Sequence, residues 1–471
     1  MVEKIVTSLR DRAGYRWLAL VLLATGMFFA YIMVDVLSPL QELLQTQRGW
    51  DPVAYGRYAG SEMFLNVFVF FLIFAGIILD KMGVRFTAIL SGVVMVAGAA
   101  INYYAVSAAF VGSGLERFFT NYFNLPDAAW NVTPWVEGMP ASAKLSAIGF
   151  MIFGCGSEMA GITVSRGIVK WFKGREMALA MGIEMAIARV GVAVVVLGSP
   201  LVARMTPVAV SRPVAFTLLL LCVGLVCFIT YGFMDKRLDA EGVEEVKDDP
   251  FKVRDIGKIL SLPVFWLVAL LCVLYYSAIF PFQKYAINML QCNLDFTAEQ
   301  AGLVFFVFPL GAAAITPFLG NYLDRRGKGA SMLIVGAVLM IVCHLTFAFL
   351  VPATQSVVIS YAAIIVLGIS FSLVPAALWP SVPKLIDEKL LGSAYALIFW
   401  IQNIGLYAFP MIIGVVLQKS NPGITDPLQY DYSVPMCVFA SLGALALVLG
   451  FVLKALDKKG GYGLELPNKV D

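Results

Sequence analysis

The sequence has little charge and almost no histidine. Of its 471 residues, 14% are charged and 60% are hydrophobic, whereas a soluble globular chain has about 25% charged residues. His344 is the only histidine, and it lies inside an apolar run. This composition excludes a soluble enzyme, a nucleic-acid-binding protein and a secreted disulfide scaffold. It predicts an integral membrane protein that crosses the bilayer many times.

The seven cysteines form no Cys-x-x-Cys pair, and all but Cys292 lie in apolar runs. Without such a pair, and with one histidine, the chain is not expected to bind a metal through thiolates or imidazoles. The motifs His-Glu-x-x-His, Gly-x-Ser-x-Gly and the phosphate-binding loop are also missing. We therefore expect no metal, no cofactor and no enzymatic activity, and a packing role for His344.

Apolar runs long enough to span a bilayer recur along the chain. A spanning helix needs about 20 mostly apolar residues, because the hydrocarbon core is about 30 Å thick. The predicted spans are residues 15–39, 58–79, 86–108, 145–169, 177–203, 211–233, 262–287, 298–323, 329–352, 356–383, 391–418 and 433–456. Twelve spans place both termini on the same side of the membrane.

Most of the 34 lysines and arginines fall at the termini and in the loops that follow even-numbered spans. Because cytoplasmic loops carry the excess of these residues, we predict that both termini are cytoplasmic. The expected location is a plasma membrane of bacterial type. The expected partners are the lipid bilayer and a small-molecule substrate, with no nucleic acid, and the protein is expected to be a monomer.

The longest predicted cytoplasmic connection, Met234 to Lys258, has mixed charge and no apolar period. It predicts a solvated linker, with a short helix on the membrane surface, between six spans and six. The predicted division is an N-terminal bundle over 1–233, a linker over 234–260 and a C-terminal bundle over 261–471.

A short motif, Gly-x-x-x-Asp-basic-x-Gly, recurs at the same place in each half. The first copy comprises Gly76, Asp80, Lys81 and Gly83, followed by Arg85, and the second comprises Gly320, Asp324, Arg325 and Gly327. The glycines permit a tight turn. The aspartate can lie at a helix N-terminus or accept an arginine. Two copies in register favour a pair of cytoplasmic gating loops over ordinary turns.

The paired motif, the six-plus-six arrangement and the central linker resemble the major facilitator superfamily. The resemblance covers essentially the whole chain. It implies an all-α membrane fold of two pseudo-symmetric six-helix bundles, which rock about a central site and expose it alternately to each side.

Ionisable residues at bilayer depth are costly to insert and indicate function by default. The candidates are Asp35, Glu62, Glu158, Arg166, Glu184 and Arg189. At about 1.5 Å per residue, Glu158 and Arg189 lie about 16 and 18 Å from the cytoplasmic edge. They can form a structural ion pair, or they can hold the two ends of a zwitterion, with the arginine binding a carboxylate. We favour the second interpretation.

The remaining candidates divide by depth. Arg166 lies near enough to the edge to be structural, and Glu62 is expected to be solvated near the outer interface. Asp35 is expected to line the cavity or to close the outer gate. Glu184 can pair with Arg189, line the path or carry a proton.

The second half is expected to contribute no such charges. Its polar and aromatic candidates for substrate contact are Tyr276, Trp379, Gln402 and Asn403.

Three further stretches, Tyr275 to Phe282, Ala377 to Pro380 and Ile401 to Gly405, resemble the lysosomal dipeptide transporter branch of the superfamily and its prokaryotic relatives. This resemblance implies that Glu158 and Arg189 contact the two ends of a dipeptide, and it implies facilitated diffusion. Proton coupling through Asp35, Glu158 or Glu184 stays open. The alternative is a carrier of organic anions such as dicarboxylates.

Overall fold

The computed structural model describes residues 8–128, 130–241 and 253–467. In these ranges the chain forms α-helices joined by short turns, with no strand. The helices are α1 Ala13–Asp35, α2 Gln41–Arg48, α3 Pro52–Ser61, α4 Phe64–Phe68, α5 Phe71–Val106, α6 Gly114–Asn121, α7 Ala141–Phe172, α8 Met177–Ala203, α9 Ser211–Ala240, α10 Ile256–Leu260, α11 Pro263–Leu294, α12 Ala298–Arg326, α13 Gly329–Leu345, α14 Val351–Thr354, α15 Val357–Leu385, α16 Leu391–Ser420 and α17 Ser433–Gly460. Helices prevail because lipid offers no partner for a free backbone amide.

Eleven helical segments in the described ranges are long and apolar enough to cross a membrane. The second expected span, 58–79, is the exception, because it is divided among α3, α4 and the beginning of α5. Phe70 has a φ of 56° at one break. At Gly83, with a φ of 77°, the second span turns into the third inside α5. The second membrane span therefore consists of several short helical segments. The fold is the expected pair of six-helix bundles.

Each half packs mainly within itself. In the first bundle α5 packs along α7 and α9, and α1 packs along α8 and α9; in the second, α12 and α13 pack along α15, and α13 packs along α17. The predicted linker is only partly described, because residues 242–252 lie outside the described ranges. Its first residues continue α9, and the expected short helix corresponds to α10.

The first gating loop contains the ion pair that the motif predicts. Arg166 of α7 donates from Nη1 to Oδ1 of Asp80 at 2.5 Å. The arginine is 8% exposed, while its partner is about a third exposed. Gly83 makes the turn that follows, and Arg85 reaches Asp239 of α9 at 3.4 Å. The loop is thus fastened to the two helices beside it, while Lys81 is exposed.

The second gating loop is covered by the C-terminal tail. A Cβ at Gly327, whose φ is 70°, would meet the carbonyl oxygen of Glu465 at 2.4 Å. The Glu465 carboxylate accepts hydrogen bonds from the backbone and hydroxyl of Ser331, both at 2.8 Å. Lys384 of α15 donates to the Gly463 carbonyl at 3.0 Å. The two copies of the motif therefore have different surroundings, although their sequences match.

The two bundles meet on the side of the membrane opposite the chain termini. There α3 packs so closely on α16 that a Cβ at Gly56 would meet the Pro410 carbonyl at 2.4 Å. The next part, α4, still contacts α16, where the Trp400 indole donates to the Val67 carbonyl at 2.9 Å, but the beginning of α5 makes almost no contact with α16. On α8, Val196 is fully buried, whereas Met185, on the same side of the helix and nearer the termini, is 62% exposed. The space between the bundles is therefore closed on the far side and open toward the termini.

A buried lysine joins the bundles on the closed side. Lys284 lies inside α11 and is 8% exposed. Its ammonium lies 3.0 Å from Asp35 and 4.0 Å from Glu62, both of the first bundle. It also donates to the Val34 carbonyl at 2.7 Å. Gln283 donates to the other Asp35 oxygen at 2.5 Å.

This network corrects two expectations from the sequence. The second half does contribute a buried charge, Lys284, and Glu62 is buried at 6% exposure rather than solvated. Of the two positions considered for Asp35, the structure places it at the closed side, opposite the chain termini. We call Asp35, Glu62, Gln283 and Lys284 the outer network.

Replacing Lys284 by methionine is expected to destabilise this closed state strongly. Removing one partner of a buried ion pair costs about 3–5 kcal/mol, because the other charge is left buried and uncompensated. The variant should melt at a lower temperature in detergent, and Lys284→Met/Asp35→Asn should recover part of the loss. Lys419→Met, which removes an exposed lysine, is the matched control. A Lys284→Met protein as stable as this control would show that the network does not hold the bundles together.

Asp80→Asn should destabilise the first gating loop by a smaller amount. It removes the carboxylate that accepts the Arg166 hydrogen bond, but the pair is partly exposed, so the cost should be about 1–2 kcal/mol, below that of a fully buried pair. The matched control is Lys81→Gln, which changes an exposed neighbour. The melting temperatures of the two variants are compared by thermal unfolding. Equal melting temperatures for the two variants would contradict the assigned ion pair.

Candidate functional site

Three charged side chains lie on neighbouring helices around Tyr31 of α1. Glu158 lies on α7, and Glu184 and Arg189 lie on α8. Tyr31 is within electrostatic range of all three. Each of the three is partly exposed, on the part of the molecule that opens toward the termini. We call Tyr31, Glu158, Glu184 and Arg189 the central group.

Arg189 is held by uncharged partners from the second bundle. Its Nη1 donates to the hydroxyl of Thr316 at 2.9 Å, and its guanidinium lies 5.1 Å from the centre of the Phe371 ring. Thr316 in turn donates to the Ala312 carbonyl at 2.6 Å. A guanidinium has five N–H donors in a planar fork. Since the described contacts use one of them, the others can bind a carboxylate in two-point fashion.

Neither glutamate of the central group has an ionic partner. Among the residues that the structure describes, none forms an ion pair with Glu158 or Glu184, and none donates a hydrogen bond to either carboxylate. Arg189 therefore pairs with neither of them, although each arrangement was considered from the sequence. The structural ion pair between Glu158 and Arg189, the alternative to substrate binding, is not formed in this state.

An aromatic group from the second bundle lies near Arg189. Tyr276 of α11 is within electrostatic range of the guanidinium, and its hydroxyl accepts a hydrogen bond from the Trp379 indole at 3.1 Å. The Trp379 ring stacks on Phe399 with a centroid separation of 4.9 Å. The Tyr276 ring stacks on Phe280 at 5.5 Å. Two of the predicted contact residues, Tyr276 and Trp379, are thus brought together as one wall, which we call the aromatic wall.

The other predicted contact residues are placed differently. Gln402 is 7% exposed and accepts a hydrogen bond from the Cys272 thiol of α11 at 3.2 Å. Asn403 is 3% exposed. No contact in the described part of the chain joins either side chain to Glu158 or Arg189. Asp35 belongs to the outer network instead of the central group.

Sequence reasoning missed Tyr31, Thr316 and Phe371. None of the three is charged, and each is an ordinary residue of a transmembrane helix. A polar residue opposite Arg189 could be expected because a buried guanidinium needs acceptors, but many hydroxyls of the second half meet that condition. Their roles become visible only when α1, α8, α12 and α15 are placed together.

Comparisons with known proteins agree with this architecture. The profile of the Major Facilitator Superfamily matches residues 23–410 and 285–465. The lysosomal dipeptide transporter MFSD1 of Danio rerio is 29% identical over 339 residues, which cover 68% of each chain. The Bos taurus protein of the same name is 31% identical over 290 residues, covering 58% of this chain and 59% of its own.

A solved structure supports the fold independently of sequence identity. It is a bacterial homologue of the human lysosomal transporter Spinster, in an inward-facing and occupied conformation. The match has a TM-score of 0.68 and 12% identity, and it covers 95% of this chain and 98% of the other. The profile matches nearly the whole chain, and the solved structure has the same fold. The chain therefore belongs to the major facilitator superfamily of membrane transporters.

Proposed function

We propose that this protein is a secondary transporter that carries dipeptides by alternating access. The observation that supports this most is the state of Glu158 and Arg189. They have opposite charges at similar depth in the membrane, and neither has an ionic partner among the described residues. Because a charge at that depth costs several kcal/mol to insert, a ligand that neutralises both would be bound strongly.

A dipeptide fits this pair of charges. Its carboxylate can accept two hydrogen bonds from the Arg189 fork, and its ammonium can pair with Glu158. Two extended residues span up to about 7 Å, so a dipeptide reaches across charges that lie beyond ion-pair distance of each other. The aromatic wall of Tyr276 and Trp379 offers apolar contact to a side chain. The similar proteins of Danio rerio and Bos taurus are dipeptide transporters by name, which supports the same substrate class.

The outer network provides a physical basis for alternating access. It connects Asp35 and Glu62 of one bundle to Lys284 of the other, so it must separate when the bundles rock apart on that side. The described state, closed at the outer network and open toward the termini, is one end of such a cycle.

We infer that the open side is the cytoplasm and that the protein lies in a plasma membrane with both termini inside. The distribution of lysine and arginine among the loops supports this orientation, because positive residues are retained on the cytoplasmic side. Labelling an added terminal cysteine in whole cells with a membrane-impermeant maleimide tests it.

Arg189→Ala should abolish stabilisation by dipeptides. A ligand that binds the folded state raises the melting temperature by linkage, and this variant removes the carboxylate-binding group. Wild-type protein in detergent should be stabilised by alanyl-alanine, whereas Arg189→Ala should show no shift. Arg117→Ala, which removes an exposed arginine of an outer loop, should behave as wild type.

Blocked dipeptides distinguish the two ends of the site. An N-acetylated dipeptide lacks the ammonium and should fail to stabilise wild type, and an amidated dipeptide lacks the carboxylate and should also fail. Glu158→Gln should weaken binding of the free dipeptide. The melting-temperature shifts caused by the free and the N-acetylated dipeptide should therefore differ less than they do in wild type. Stabilisation by dicarboxylates alone, with no response to any dipeptide, would contradict the proposal and favour the organic-anion carrier.

A further inference from the structure

The second membrane span is interrupted between α4 and α5. Phe70 has a φ of 56° at this break, in the left-handed region that a residue other than glycine adopts only at a cost. The surrounding residues, 63–71, contain neither proline nor glycine, which are common causes of an interrupted helix. The break therefore has to be stabilised by contacts with other parts of the molecule.

Trp400 of α16 supplies such contacts from the second bundle. Its indole donates from Nε1 to the Val67 carbonyl at 2.9 Å, and its ring stacks on that of Phe70 with a centroid separation of 5.2 Å. In a continuous helix the Val67 carbonyl would accept from the Phe71 amide, but no such bond is formed among the described residues. The indole thus replaces the backbone hydrogen bond that the break removes, which satisfies the carbonyl in a medium without water.

The two halves of this span are held by different bundles. The half nearer the closed side packs on α16 of the second bundle, where a Cβ at Gly60 would meet the Tyr407 carbonyl at 2.4 Å. The half nearer the chain termini, which we call the inner half, ends at Asp80, and Arg166 of the first bundle binds this carboxylate at 2.5 Å. The inner half makes almost no contact with α16. The break therefore lies where the span passes from one bundle to the other.

The break lies at a depth similar to that of the contact between Arg189 and Thr316, which also crosses the bundle interface. Trp400 lies about 14 Å from the end of α16 that is nearest the termini. Arg189 and Thr316 lie about 18 and 15 Å from the corresponding ends of α8 and α12. The bundles can rock about a line through the two contacts. Because its halves are held by different bundles, the second span must change shape where it crosses that line.

We propose that the break at Val69 and Phe70 is a hinge of the second span, controlled by the partner of the Val67 carbonyl. In the described state Trp400 binds this carbonyl and the helix is interrupted. When the space closes toward the termini, the inner half approaches α16, the Phe71 amide binds the carbonyl instead, and the span becomes continuous. The hinge thus has two discrete states that differ by the exchange of one hydrogen bond. This inference rests on the proposed alternating access but not on the choice of substrate.

Trp400→Phe tests the exchange, because it keeps a ring against Phe70 and removes the donor to Val67. The reporter is the alkylation rate of Met185→Cys by N-ethylmaleimide, in full-length protein in lipid nanodiscs with the seven native cysteines replaced. Met185 is exposed while the space is open toward the termini, so alkylation slows as this side closes. Loss of one neutral hydrogen bond should shift the equilibrium about fivefold toward the state that is closed there.

Trp266→Phe is the matched control. The Trp266 indole also donates to a backbone carbonyl, that of Leu260 at 2.8 Å, but it lies at the beginning of α11, away from the break. This variant loses the same kind of bond and should be alkylated at the rate of the parent protein. Equal slowing in both tryptophan variants, or no slowing in Trp400→Phe, would overturn the hinge.

A pair of substitutions at Phe70 tests the backbone independently and covers the case of a Trp400→Phe protein that fails to fold. Phe70→Gly and Phe70→Val both remove the ring, but glycine adopts a positive φ without strain, whereas a β-branched residue resists it. The equilibrium should favour the open state about tenfold more in the glycine variant than in the valine variant. Equal alkylation rates in this pair would contradict a hinge at this residue.

Lys284→Met/Asp35→Asn separates the hinge from alternating access itself. It removes the ion pair that closes the outer network, so the far side should open, the side toward the termini should close, and alkylation should slow. If this variant slows alkylation while the Trp400 and Phe70 variants do not, the hinge is rejected and alternating access stands. If no variant changes the rate, alternating access is rejected together with the hinge. The assay contains no dipeptide, so its outcome does not depend on the substrate that the protein carries.

Discussion

The arrangement of the two bundles depends on one buried ammonium. Lys284 enters the first bundle from the second and lies between Asp35 and Glu62. A charge in this position is stable only while its partners are present, because desolvation is not otherwise compensated. The contact therefore either forms completely or is lost completely, and intermediate separations are unfavourable. That property suits the alternating access proposed above.

The two bundles contribute differently to the central space. The first supplies the charges through Glu158, Glu184 and Arg189, while the second supplies neutral groups, Thr316, Phe371 and the aromatic wall. Arg189 is the point where they meet, because its hydrogen bond and its ring contact both cross the interface. A change in bundle separation therefore alters the surroundings of the guanidinium directly. In the proposed mechanism, substrate binding and bundle movement are linked through this side chain.

The sequence predicted features that the bilayer itself imposes and missed those that depend on contacts between distant helices. Apolar length located the spans, and estimated depth selected Glu158 and Arg189 as candidates, because both arguments follow from the thickness of the hydrocarbon core. The divided second span was missed, since hydropathy does not report a positive φ at Phe70. The buried charge of Lys284 was missed because a lysine near a span end usually reaches water. Its carboxylate partners lie more than 200 positions away in the chain, and no local pattern indicates them.

The covered second gating loop has a practical consequence for handling the protein. Leu464 is 2% exposed, and Glu465 is bonded to Ser331 beside Gly327, so the last described residues of the chain are part of the folded C-terminal bundle. An affinity tag or fluorescent protein fused after Asp471 is therefore attached a few residues from a loop assigned to gating. In the first half, Ser8 and Leu9 donate hydrogen bonds to the Glu241 carboxylate, two residues beyond the Asp239 that pairs with Arg85 of the first gating loop. A fusion at the N-terminus therefore also lies close to a predicted gating loop, and a flexible linker is needed at either end of the chain.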